Sequence, residues 1–132
     1  ELAERAGDRA RAVRELRALV ADDHTNADAA RRLARLAEKT GETEIQRFAL
    51  ERVVVVDPAD ASAQGALGRL ALARRDVSAA VRALRIALAA GPTDEVAARC
   101  DLAEALLLAG DRAGAKSVVL AALEVAPTYA RA

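Results

Sequence analysis

The chain has 132 residues and balances 20 Lys and Arg against 20 Asp and Glu, with a pI near 6.9. Such neutrality argues against a dedicated nucleic-acid or membrane-surface domain, and the length suits one domain. Ala supplies 36 residues, Trp and Met are absent, and Phe and Tyr occur once each, so the core must be built from Ala, Leu and Val on closely packed helices.

Helices are expected near 1–6, 9–22, 27–40, 43–56, 61–74, 77–90, 94–109 and 112–126. The run Glu1-Leu2-Ala3-Glu4-Arg5-Ala6 is helical from its first residue. Gly7-Asp8 then reads as a turn, and Ala12, Leu16 and Leu19 read as the inward positions of the next helix. Asn26, Asp60, Asp76 and Asp111 are N-caps in prospect, since each side chain can accept from an orphan amide. Gly41, Gly91 and Gly110 suit the left-handed residue that closes a helix. The β-branched run Val53-Val54-Val55-Val56 prefers strand, at a few tenths of a kcal/mol per residue in a helix. Helix is expected there, because an isolated strand would have no partner. Pro127-Thr128-Tyr129-Ala130-Arg131-Ala132 reads as the start of another helix. With no initiator Met and no signal-like segment, the chain is expected to be a piece of something longer. No apolar run approaches roughly 18 residues, so no transmembrane segment is expected.

A longer period overlies the helices. Prolines fall at 58, 92 and 127. Aligned on them, Leu33-Ala34, Leu67-Gly68 and Leu102-Ala103 share a register. So do Ala37, Ala71 and Leu106; Gly41, Arg75 and Gly110; Gln46, Ala80 and Ala115; Leu50, Leu84 and Val119; and Val53, Ala87 and Ala122. A period near 34 residues with Leu-Gly, then a small residue, then a large apolar one, then Pro is characteristic of helical-hairpin repeats. Over essentially its whole length the chain resembles the tetratricopeptide repeat family, and residues 61–92 carry the best match. The aromatic positions of that pattern hold Leu or Ala, and Gln46 departs from the expected small residue. The resemblance implies an all-α fold: a right-handed α-solenoid of antiparallel helix pairs. Residues 1–26 would be a half repeat contributing a second helix, with His24 in the place of proline. Repeats would follow at 27–60, 61–94 and 95–129, with a further helix starting at 130–132.

Residues that could carry chemistry have structural readings. His24 follows Asp22-Asp23, yet the spacing matches no metal-ligand pattern and there is no second His. Cys100, the single cysteine, reads as a small, partly buried helix residue, with no disulfide partner and no base nearby in the repeat order. Asp22-Asp23 and Asp94-Glu95 lie at helix ends, where carboxylates favour termini or solvent. The glycines are scattered, without a phosphate-cradling cluster. No enzyme, cofactor or metal site is therefore expected.

The resemblance implies a concave groove, lined by the first helix of each repeat and able to hold a peptide or partner protein. Its best candidates here are Arg31, Arg35, Lys39, Arg69, Leu72, Glu104 and Leu108. They make a groove that is basic at one end and apolar-acidic at the other. Asp28, Arg32, Glu38, Ser62, Gly65, Ala66, Ala73, Ala97, Cys100, Asp101 and Leu107 are further inward positions. Guanidinium forks bind carboxylates bidentately, so Arg31, Arg35 and Arg69 favour an acidic partner. The carboxylate clamp of chaperone adaptors maps to Arg31, Arg35, Ala66, Ala97 and Asp101. The middle amide is absent and an acid replaces the last base, which speaks against that subclass. Leu106, Leu107, Leu120 and Leu123 are expected to leave an apolar edge open to self-association. Nucleic acid is not an expected partner, since stacking aromatics are lacking. The function expected is that of a non-catalytic interaction scaffold. The alternative is a structural or assembly tail of a larger bacterial protein, with a peptidase-like or other catalytic domain elsewhere.

Overall fold

The computed structural model describes residues 2–22 and 26–125. They form seven helices joined by turns, with no strand among the described residues. Two compact units divide the chain, Glu1–Pro58 and Ala59–Ala132.

The first unit holds α1 (Leu2–Asp22), α2 (Ala27–Thr40) and α3 (Thr43–Val56). Asn26 opens α2 by accepting from the Ala29 amide at 3.0 Å, which satisfies one of the donors a helix start leaves unpaired. Gly41 closes α2 at φ 74°. Its own amide donates to the Glu38 carbonyl, and the Glu42 amide reaches back to Ala37 at 2.9 Å. This is a Schellman closure, and it turns the chain directly into α3. Leu33, Ala37, Ala49 and Val53 are fully buried between the two helices. The valine run is helical throughout, as expected, although Val55 and Val56 face solvent.

Two expectations for the N-terminal segment fail. Gly7-Asp8 makes no turn, and α1 runs straight through it. Glycine ends a helix when it adopts positive φ, whereas in right-handed helical geometry it only weakens the helix by about 1 kcal/mol. Gly7 is absent from the positive-φ glycines, and residues 7–11 are all exposed, so no packing selects a turn there. The inward register is also shifted. Val13 and Val20 are buried, Leu16 is half-buried and Leu19 is exposed. β-Branched side chains at a seven-residue spacing meet α2 better than the Ala12, Leu16 and Leu19 set inferred from repeat alignment. Asp23, His24 and Thr25 lie outside the described residues.

The second unit holds α4 (Ala61–Ala73), α5 (Val77–Ala89), α6 (Glu95–Leu108) and α7 (Arg112–Val125). Each helix packs on the next, and α4 also touches α6. Asp60, Asp76 and Asp111 cap their helices as expected, at 3.0, 3.3 and 2.8 Å. Asp94 does the same for α6, accepting from Ala97 at 2.9 Å. The core joins Ala71 of α4, Ala80 and Leu84 of α5, Leu102, Ala103, Ala105 and Leu106 of α6, and Ala115 of α7. Small residues set the helix separation. A Cβ placed on Gly68 would lie 2.6 Å from Leu84 Cγ, closer than two carbons can approach.

The apolar edge is smaller than expected, because Leu106 belongs to this core and is 3% exposed. Its position on α6 faces α5 and α7, whereas Leu107, one residue on, points to solvent. Leu107 and Leu120 are exposed and Leu123 is half-buried. Pro127 and Tyr129 lie outside the described residues.

The turns after α4 and α6 repeat the closure after α2. Arg75 donates to Leu72 and Asp76 to Ala71, just as Gly110 donates to Leu107 and Asp111 to Leu106. Arg75 thus takes the left-handed role at φ 64° that glycine takes at 41 and 110. Two substitutions should move thermal stability in opposite directions. Arg75→Gly relieves left-handed strain and should stabilise by about 1 kcal/mol. Gly68→Ala forces Leu84 aside and should destabilise by about 1–3 kcal/mol, despite the better helix propensity of Ala.

Candidate functional site

Charge and small side chains are organised on the first helix of each hairpin. In the first unit, Arg31, Arg35 and Lys39 recur every four residues along α2, which places them on one face. Arg31 is engaged by its own chain, 3.4 Å from Asp28 Oδ1 and 3.8 Å from Asp57 Oδ2. Arg35 and Lys39 are exposed, and among the described residues neither has an ion-pair partner.

In the second unit a cavity of about 250 Å³ opens between α4 and α6, closed at one end by the Gly91–Asp94 connection. Gly65 lies at its floor. The Arg69 side chain leans back toward the helix start, as long helical side chains do. Its Nη1 comes within 3.4 Å of the point where a Gly65 Cβ would stand. There Arg69 Nη1 is 3.7 Å from Asp101 Oδ2. The partners differ sharply in burial: the Asp101 side chain is 13% exposed and that of Arg69 is 59% exposed. At this separation the contact is Coulombic, and water screens the arginine side, so its contribution to stability is small. The guanidinium lies over a small-residue floor in a cavity that Ser62 and Thr93 also line.

The remaining candidates separate by exposure. Leu72 is half-buried against the core, whereas Glu104 and Leu108 face solvent. The structure therefore brings Arg69 and Asp101 together and ties Arg31 to two acids. It leaves Arg35, Lys39, Glu104 and Leu108 exposed. Asp101 stands where the clamp pattern expects a base, and the structure makes it the counter-ion of Arg69, a role the sequence reading missed. A signal exists in the numbering, since the two stand 32 residues apart, three short of the 35-residue offset that aligns Leu67 with Leu102. Opposite charges at that offset on successive first helices are placed to meet.

The acidic pair Asp94-Glu95 is structural. Asp94 caps α6, and Glu95 accepts from Arg99 at 2.7 Å. Cys100 is half-buried with a free thiol. Among the described residues no three His, Cys, Asp or Glu side chains gather into a metal site. No helix formed by them is long and apolar enough to cross a membrane. A second depression, about 400 Å³, lies in the first unit between Arg17 of α1 and Glu44, Arg47, Phe48 and Glu51 of α3. Glu44 pairs closely with Arg47 and, by accepting its hydrogen bond, raises the guanidinium pKa above its ordinary value. Arg52 lies over the Phe48 ring, 5.5 Å from its centre, a cation–π arrangement.

No family model and no curated protein sequence matches the chain. Solved structures do match. One crystal structure of MamA is 22% identical with a TM-score of 0.79, over 94% of this chain and 72% of that one. A second MamA structure is 23% identical with a TM-score of 0.74, over 88% and 63%. MamA 41-end from Desulfovibrio magneticus RS-1 is 20% identical with a TM-score of 0.74, over 96% and 71%. The chain shares the helical-repeat fold of MamA. At these identities the likeness is one of fold.

Gly65 offers a direct test of the cavity floor. Its added Cβ would meet Arg69 and Ala87 at ordinary contact distances of 3.4 and 4.0 Å. Gly65→Ala should therefore keep or raise the melting temperature, by up to about 1 kcal/mol of helix propensity. That outcome would contrast with Gly68→Ala, three residues away on the same helix.

Proposed function

We propose that this chain is a non-catalytic interaction module of the tetratricopeptide type, which holds a peptide or partner protein against the exposed faces of its first helices. On this reading α1 is the second helix of a preceding repeat, and α2–α3, α4–α5 and α6–α7 belong to three successive repeats. The observation that carries the proposal is the pair Arg35 and Lys39, two exposed cations one helical turn apart. Among the described residues neither has an ion-pair partner. Several acids are engaged structurally. Asp60, Asp76, Asp94 and Asp111 cap helices, and Glu44 and Glu95 pair with arginines. Arg69 adds a guanidinium 3.7 Å from the Asp101 carboxylate. A peptide carboxylate is the natural complement to Arg35, because the guanidinium offers two parallel donors.

The test is a peptide array probed with the wild-type chain and with an Arg35→Glu/Lys39→Glu variant. Both residues are exposed, so the variant should keep its helical circular dichroism. Acidic peptides should bind the wild type and lose about tenfold or more in affinity on charge reversal. Binding indifferent to the variant, or selective for basic peptides, would overturn the proposal.

A further inference from the structure

We propose that the solvent-facing side of α5 is a second docking surface, shaped for an acidic, apolar helical segment of a partner protein. It is distinct from the faces of α2, α4 and α6. A shallow depression of about 680 Å³ lies there, with Val77, Val81 and Ile86 as its apolar residues, Arg82 and Arg85 beside them, and Ala109 at the end of α6. Ile86 is 42% exposed, which leaves apolar surface of the depression open to a partner.

Charge separates this depression from the other two. In the cavity between α4 and α6, Arg69 faces Asp101. In the depression of the first unit, Arg17 and Arg47 share the surface with Glu44 and Glu51. The α5 surface has two arginines and no acid among its lining residues. Both arginines are exposed, and among the described residues neither has an ion-pair partner. The chain as a whole has zero net charge, so this single-signed lining is a local feature.

Spacing defines the complement. Arg82 and Arg85 are three residues apart, and such neighbours on a helix sit roughly 5–6 Å from one another. A partner helix with Asp or Glu at i and i+3 or i+4 presents carboxylates at the same interval. An adjacent Leu, Ile or Phe would cover Ile86 and Val81. The apolar strip gives affinity and the charges give orientation and encounter rate.

The experiment is selection of a displayed random 16-residue peptide library on the wild-type chain, with recovered peptides re-measured on variants by fluorescence anisotropy. Recovered sequences should be enriched in acids three or four apart beside a large apolar residue. Arg82→Glu/Arg85→Glu should weaken such peptides about tenfold or more. Ile86→Ser should weaken them without changing helical content, and Arg35→Glu should leave them unchanged. Raising salt from about 50 to about 500 mM should also weaken binding. Recovered peptides without acid–apolar enrichment, or binding untouched by the α5 variants, would overturn the proposal. So would an empty selection. Co-sedimentation with phosphatidylserine-containing vesicles that depends on Arg82 and Arg85, without peptide binding, would overturn it in favour of a lipid surface.

Discussion

The contact between Leu84 and the bare backbone of Gly68 sets the spacing on which the second unit depends. With no Cβ at 68, Leu84 drops against α4 and becomes fully buried. That depth places Ala80, one turn earlier on α5, inside the same core as Ala71 and leaves α6 to close it with Leu102, Ala103 and Leu106. Closely packed interiors tolerate little change in volume. The separation of α4 and α5 therefore follows from a pairing of the smallest residue with a large one. In the first unit Ala34 stands at the register of Gly68 and Leu50 at that of Leu84, and both are buried.

Helix ends are fixed by a second, local set of interactions. Aspartate or asparagine opens five of the helices with a side-chain oxygen on the amide three residues ahead. Schellman closures end α2, α4 and α6. Because each hairpin turns over two or three residues, the phase of the second helix follows from the end of the first. The faces that carry Arg35, Arg69 and the α5 arginines are thus oriented by caps and closures, with core packing holding them there.

Much of this was legible in the residues. The 34-residue spacing, the capping residues and Gly41, Gly91 and Gly110 mark helix ends by short-range chemistry, and the helices stand where they indicate. Gly68 and Ala80 mark the close seam, because only small residues fit it. Two of the failures share a cause. At Gly7 and at the Ala12, Leu16 and Leu19 set, repeat alignment was asked to replace packing, and the helix took the register that buries Val13 and Val20. Leu106 differs: its repeat register matches the buried Ala37 and Ala71, and the expectation of an uncovered last hairpin, not the alignment, put it on an edge. The Arg69–Asp101 contact depends on side chains from different hairpins, and the α5 depression on which residues remain uncompensated. Neither property is periodic, so neither shows in a repeat pattern.

An interior made so largely of alanine has a thermodynamic consequence. Among the described residues, Leu33, Leu84, Val20 and Val53 are the largest side chains with essentially no exposure. Each alanine hides a single methyl and gives up no rotamer freedom on folding, so its side-chain terms are small on both sides of the balance while the backbone cost remains. Less apolar surface meets water on unfolding than in a core of leucine and phenylalanine, and the heat-capacity increment shrinks with it. Such a chain has a shallow dependence of stability on temperature, with its resistance to cold and to heat spread over a broad range.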